Sequence, residues 1–349
     1  MKLIISTDVG ETVLPQPDTG ESQVETERHD LVLPERYHGM RLDQVLAECI
    51  GGYSRNYLKQ LIQEGAASVD ERVVQKPAYK VLAGQHLSID IRPTEQSQAF
   101  VAQDIALDVV YQDDSLLVLN KPAGLVVHPA AGNWSGTVLN GLLALDNAHK
   151  NLPRAGIVHR LDKDTSGLMV VARTRKCMDA LVTMLAAREV SRQYLAIAHR
   201  AWLGPAAVTV NQPIGRDPGN RVRMAVVDLE RHVGKAAITH LHCLQSMDSD
   251  PAYCLVQAKL ETGRTHQIRV HMSHQGHPLV GDILYGGRPA LGMDRQALHA
   301  FSLQFAHPED GRWMTFSCPL PSDMATAMSN LGWDTITADP LDGQCKPSL

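Results

Sequence analysis

The apolar residues of this chain arrive mostly in short β-type runs, and that grouping constrains its fold most. Leu116–Leu119, Gly167–Ala172, Tyr194–Ala198, Ala237–Leu244 and Cys254–Leu260 each read as a strand, whereas only Thr137–Leu145 and Lys176–Arg188 read as helices among them. Strands outnumber helices and do not alternate regularly with them. A doubly wound parallel sheet is therefore disfavoured, and an α+β fold built on a mixed or antiparallel sheet is expected. The apolar run Leu168–Ala172 is far shorter than the roughly 20 residues that cross a bilayer.

A different texture precedes this body. Leu42, Val45, Leu46, Cys49 and Ile50 follow helical spacing, and Gly51–Gly52 closes that stripe. Ser54 then stands as an N-cap for a second helix whose buried side is Leu58, Leu61 and Ile62. Short β-prone pieces follow, at Ala67–Val69, Val73–Val74 and the alternation Leu87, Ile89, Ile91. The spacing thus predicts a small helical module over residues 38–92. An acidic disordered tail is expected over 1–37, a linker over 93–104, the strand-rich domain over 105–322 and a loose end over 323–349.

Charge is uneven along the chain. Residues 1–35 hold two Lys/Arg against eight Asp/Glu, while residues 154–235 hold fourteen against seven, a local +7 within a chain of net charge −5. A basic stretch inside a near-neutral protein suits a polyanion-binding face. Six cysteines lie far apart with no CxxC pair, so neither a disulfide framework nor a thiolate zinc site is expected, and a reducing cytoplasmic setting is. The first ten residues carry one lysine and a four-residue apolar stretch, too short for a secretory core.

Three segments offer chemistry. In Val158–Leu168 a polar stretch separates two apolar pieces, which places Asp162 on a loop held by sheet at both ends. The plainer reading is a turn-capping aspartate. In Leu260–Gly281, Thr265 can cap a helix running to Gly276, with Arg269 one turn inside; an arginine there could hold Asp162 ionised and oriented if the two meet. The histidines at 266, 271, 274 and 277 invite a metal reading. However, His266 and His271 would stand about 140° apart on a helix, and no HExxH is present. In the helical module Arg55 and Lys59 lie four apart, with Arg41 nearby, as a face for phosphate or merely for solvent.

Taken together these segments resemble the RluA-type family of pseudouridine synthases. HRLDKDTSGL at 159–168 resembles that family's signature loop. LNKPAGLVVHP at 119–129, RQY at 192–194, GRTHQIRVH at 263–271, HPLVGDILYGG at 277–287 and RQALHA at 295–300 resemble its other motifs, in order. RLDQVL, YSR and KP in the helical module resemble an S4 RNA-binding domain, although Asp70–Glu71 stand where the S4 hairpin usually has Asn-Gly. The resemblance implies isomerisation of uridine to pseudouridine in large-subunit (23S) ribosomal RNA by base flipping. It implies Asp162 as the catalytic aspartate, Tyr194 as the ring stacked on uracil and implicated in removing the C5 proton, and Arg269 as the partner of the aspartate. Arg160 would help displace the base, and Arg41, Arg55 and Lys59 would contact RNA. A cytoplasmic monomer without metal or organic cofactor is expected, meeting its RNA in the assembling ribosomal particle. The rival readings are a non-catalytic S4-type RNA-binding or ribosome-assembly factor, a synthase acting on transfer RNA, and a metal-dependent hydrolase using the histidines.

Overall fold

The computed structural model describes residues 27–50, 53–91, 99–130, 132–220 and 222–333. The chain divides into two compact units, residues 1–96 and 97–349.

In the first unit the strand β1 (Glu27–Val32) precedes helices α1 (Leu42–Cys49) and α2 (Arg55–Gln63), and β2 (Ala67–Val69), β3 (Arg72–Val73) and β4 (His86–Ile91) follow. The sheet order is β1-β4-β2-β3, antiparallel throughout. Leu42, Val45, Leu46, Leu58, Leu61 and Ile62 are wholly buried between helices and sheet, which is the amphipathic spacing acting as expected. Ser54 caps α2 by accepting from the Tyr57 amide at 3.2 Å. The Gly51–Gly52 stop lies outside the described residues.

At the hairpin, Asp70 and Glu71 both take positive φ, 49° and 64°. This is the two-residue turn geometry that matches strand twist and that Asn-Gly ordinarily supplies. Asp70 offsets the strain by accepting from the His86 amide at 2.9 Å and from Gln85 Nε2 at 2.9 Å.

The expected tail needs correction at its far end. Residues 1–26 lie outside the described part, but Glu27–Val32 pair along β4, and Leu33 and Tyr37 are buried in the module's core. β1 is an edge strand whose exposed side is Arg28, Asp30 and Val32 and whose inner side is only half-buried, so it carries little hydrophobic signal.

The second unit contains β5 (Asp108–Gln112), β6 (Leu116–Lys121), α3 (Val138–Leu145), β7 (Ser166–Ala172), α4 (Arg175–Ala187), β8 (Ser191–His199) and β9 (Ala207–Asn211). It continues through β10 (Ile214–Arg216), β11 (Met224–Val226), β12 (Gly234–Lys235), β13 (Ile238–Met247), β14 (Tyr253–Leu260) and α5 (Gln267–His274). It closes with β15 (Leu298–Ala306), β16 (Trp313–Ser317) and α6 (Ser322–Asn330). Nine strands form one mixed sheet in the order β5-β6-β7-β15-β8-β14-β13-β9, with β16 joined to β15, while β10, β11 and β12 make a separate small sheet. The α+β expectation holds. The sheet is antiparallel except where β7 meets β15.

β15 is the pivot. It runs parallel to β7 at His299–Ala300 and antiparallel to β8, and its remainder, from Ser302, pairs with β16. β7 is buried on both faces, which explains its unbroken apolar run. The close approach of β7 to β15 requires glycine at 167, because φ is +113° and a Cβ there would lie 2.3 Å from the Ala300 carbonyl oxygen.

Two further boundaries shift. Residues 93–98 of the expected linker, and residue 92 before it, lie outside the described part. Ala99, however, is buried, and Asn140 Nδ2 donates to the Val101 carbonyl at 2.8 Å, so this end of the segment is stitched to α3. The expected loose end from 323 begins as α6, whose Met324, Ala327 and Met328 are buried together with Trp333 against β8 and β14 residues; residues 334–349 lie outside the described part. The small residues in α6 left its apolar stripe faint in the sequence.

Candidate active site

The loop between Ile157 and β7 is fixed through its backbone. Lys121, at the end of β6 and fully buried, points Nζ at three carbonyl oxygens: Pro122 at 2.7 Å, Leu125 at 2.9 Å and Lys163 at 2.9 Å. Burial pushes the Lys121 ammonium down to about 7, while Asp164 and Asp162 pull in the opposite direction. From the segment leading into β15, Arg295 Nη1 donates to the Asp164 carbonyl at 2.8 Å, and His299 Nδ1 lies 2.9 Å from Ser166 Oγ. Arg295 is itself gripped by Asp323 of α6, at 2.6 and 2.9 Å. The Thr165 amide closes a turn onto the Asp162 carbonyl at 3.1 Å. The turn-capping role therefore falls to the Asp162 backbone, and its side chain is left to face the cleft.

Asp162 Oδ2 accepts from Arg269 Nη1 at 3.1 Å, across 107 residues of sequence. The expected pair is part of a larger arrangement. Arg269 also makes a two-pronged contact to Asp282, Nε–Oδ2 at 2.7 Å and Nη2–Oδ1 at 2.8 Å, with the Asp282 side chain 1% exposed. Burial alone would lower the arginine's pKa, but Asp282 first and Asp162 second raise it, so its charge is permanent. Its Cζ also lies 4.9 Å from the centroid of the Tyr285 ring.

The helix carrying Arg269 starts one residue later than expected. Thr265 is not its cap. His266 occupies the cap position with left-handed backbone, φ 58°, and no side-chain cap. That conformation is sparsely populated for a non-glycine residue and tends to persist where surroundings enforce it. Here His266 Nδ1 lies 2.8 Å from Tyr285 Oη, and Nε2 is 3.9 Å from Asp162 Oδ1. Burial lowers the His266 pKa, with Asp162 opposing, so the ring is neutral near pH 7.

Tyr194, on β8, lines the same pocket with its ring 4% exposed. Burial pushes its phenol up to about 12, with Arg192 lowering it and Asp162 raising it. At neutral pH it is therefore an apolar face with a hydroxyl and not a standing base. Arg160 is exposed at the pocket's rim. Asp164 is not among the lining residues, so this pocket lacks the paired carboxylates of a glycosidase.

The four histidines of the metal reading go separate ways. His271 sits between Thr239 Oγ1 and the Gln212 carbonyl, and His277 stacks on Trp202 at 4.7 Å. Among the described residues no group of three His, Cys, Asp or Glu is placed to hold a metal ion.

In the first unit Arg41 and Arg55 both turn onto Asp43, at 2.9 Å each, and Asp43 is 2% exposed. Burial would raise that carboxyl's pKa, but the two guanidiniums hold it below the usual value. Both arginines are neutralising a buried charge, a role their spacing did not reveal, while about half of each side chain stays exposed, at 44% and 51%. Lys59 is exposed on α2.

Sequence reading missed Asp282, Tyr285 and the clamp made by Lys121, Arg295 and Asp323, and singled out His266 only in the metal reading. Asp282 did leave a signal: an aspartate set between Leu279–Val280 and Ile283–Leu284 must find a cation if the run is buried.

The mixed β-sheet presents one arginine-held aspartate beside a buried tyrosine, and the chain belongs to a class of RNA-modifying isomerases, the RNA pseudouridylate synthase family, whose model matches residues 115–274, with an S4 domain matched at 40–87. Its reaction is the transfer of uracil from an N1 to a C5 glycosidic linkage within RNA. Among its relatives is the ribosomal large subunit pseudouridine synthase D of Neisseria meningitidis serogroup A, 47% identical over 323 residues, covering 89% of this chain and 84% of the relative. The protein of that name from Yersinia pestis is 46% identical, covering 85% of this chain and 92% of the relative. Among solved structures, human RNA pseudouridylate synthase domain containing 1 superposes with a TM-score of 0.50 at 28% identity, over 64% of this chain and 89% of that one.

Proposed function

We propose that this enzyme isomerises uridines of large-subunit ribosomal RNA, with Asp162 as the single reacting carboxylate. The relatives named for that substrate support the choice of RNA, as do the S4 domain and the +7 stretch. One observation carries the assignment of Asp162: Arg269 reaches it at 3.1 Å while fixed from behind by the buried Asp282. The carboxylate is thereby aimed into the pocket and prevented from leaving it.

Breaking the N1–C1′ bond requires a nucleophile or base close to the sugar, and rejoining through C5 requires that the uracil stay put. Asp162 serves the first need. Tyr194 serves the second by stacking on the flipped base, which helps offset the few kcal/mol of unstacking. Because its phenol is neutral at pH 7, the C5 proton goes more readily to Asp162 than to Tyr194. Arg160 at the rim assists displacement of the base, and exposed Lys59 with the outer edges of Arg41 and Arg55 adds affinity for phosphates. A cytoplasmic monomer acting on the assembling particle goes with this reading.

Asp162→Asn tests it. Pseudouridine formation in large-subunit RNA should vanish, with RNA binding kept within about tenfold. Turnover comparable to the wild type would remove Asp162 from the reaction.

A further inference from the structure

Two hydrogen-bond donors in the active-site pocket have nothing to donate to. Arg192 lies on β8 two residues before Tyr194, so both side chains leave the same face of the strand. It is 7% exposed, its Nε is buried without a partner, and among the described residues no carboxylate is paired with it. His159 is the second. Its Nε2 accepts from the Val170 amide at 3.0 Å, and its buried Nδ1 has no partner. Burial, with Arg192 adding, pushes His159 down to about 3. The ring is therefore neutral, and with Nε2 accepting, its proton sits on Nδ1. Arg192 and His159 both line the pocket that holds Asp162 and Tyr194.

A buried guanidinium without a counter-charge lowers the stability of the fold that keeps it. Space is also reserved for it: a Cβ on Gly263 would come within 2.9 Å of Arg192 Nη1. Unmet donors of this kind, just beneath the wall of a pocket that also holds a reactive carboxylate, are suited to receive charge that exists only during a reaction.

We propose that Arg192 and His159 donate to the carbonyl oxygens of the target uracil and stabilise the negative charge that it carries after the N1–C1′ bond breaks. The inference rests on the isomerisation proposed above. The bonding pair leaves with the base and spreads over N1 and the two carbonyl oxygens. The base then turns, C5 forms the new bond to C1′ with a ring electron pair, the C5 proton departs, and N1 ends protonated. Atoms and charge balance without an oxidant or co-reactant. A backbone phosphate is the less suitable acceptor, because both orphan nitrogens lie below the surface while Arg160 is exposed at the rim.

The test uses the full chain and a large-subunit RNA fragment on which the wild type is first shown to form pseudouridine; no product at that stage would fail the functional reading itself and not Arg192. With Arg192→Gln the single-turnover rate at saturating RNA should fall 100–1000-fold. The RNA dissociation constant should stay within about threefold, with an unchanged salt dependence. Arg192→Lys, which keeps the charge without the fork, should recover part of the rate. Arg192→Met should unfold at a temperature no lower than the wild type, since it removes an unpaired charge. Weaker binding with a shallower salt slope and a preserved rate would assign Arg192 to a phosphate and overturn the proposal. A lower unfolding temperature for Arg192→Met would make Arg192 structural, and no change in any measurement would mean that only water meets it; either result overturns the proposal.

Discussion

Asp282 and Asp162 bind the same arginine, yet their removal should destabilise the fold to very different degrees. Asp282 makes two contacts to Arg269 at 2.7 and 2.8 Å, with side chains 1% and 8% exposed. Asp282→Asn keeps the shape but loses the charge and turns an amide N–H₂ toward an arginine N–H. Loss of one member of a buried, hydrogen-bonded ion pair costs about 3–5 kcal/mol. Asp162 has one contact at 3.1 Å and a side chain 16% exposed. Asp162→Asn leaves Arg269 fully paired with Asp282, so the cost should be about 1 kcal/mol. In a unit of this size each kcal/mol moves the unfolding midpoint by about 2–4 °C. Asp282→Asn should therefore lower it by about 6–20 °C, and Asp162→Asn by about 2–4 °C. Differential scanning calorimetry on both variants, following the transition of the catalytic unit, makes the comparison. Equal shifts for the two would refute the view that Asp282 is the anchor and Asp162 the working end. A shift under 2 °C for Asp282→Asn would show that the buried pair is not held as described.

Acidification should destabilise the catalytic unit through His299, which burial holds down at about 4. A histidine with a lowered folded pKa contributes stability in full above its unfolded value near 6.5, and this is lost as pH falls toward 4. The loss from this group should reach about 2 kcal/mol at pH 5. His299→Gln should flatten that part of the stability profile measured by urea unfolding. Lys121→Met strands three carbonyls that now share one ammonium, and should cost about 3 kcal/mol or more while loosening the Lys163 end of the loop. Urea unfolding and single-turnover rates should both fall, and an unchanged rate would separate the clamp from catalysis. Glu71→Gly relieves a positive φ of 64° and should stabilise the S4 module by about 0.5–1 kcal/mol in thermal unfolding.

The sequence made some of this legible and hid the rest for definable reasons. The Asp162 loop could be read because a polar stretch between two apolar strands has few places to go. Arg269 could be read as firmly placed because Gly276 and Pro278 end its helix. Its start was misread because Thr265 looks like a cap, whereas contacts to Tyr285 and proximity to Asp162 hold His266 in a conformation that local preference would not choose. Arg295 was missed because it acts on a loop 131 residues away, over which spacing carries no information, and Asp282 because the turn after the helix of Arg269 hides how the chain folds back across the 13 residues between them. Arg41 and Arg55 illustrate the reverse difficulty: a basic face looks the same in sequence whether it awaits phosphate or encloses Asp43.

The central position of β15 has a bearing on the protein's birth. The strands on either side of it, β7 and β8, are translated about a hundred residues earlier, and the Arg295–Asp323 grip on the catalytic loop closes later still. A polypeptide emerging from the ribosome therefore holds every reacting side chain before it holds them in place. Competence for chemistry should appear all at once, only after α6 has been made and has docked.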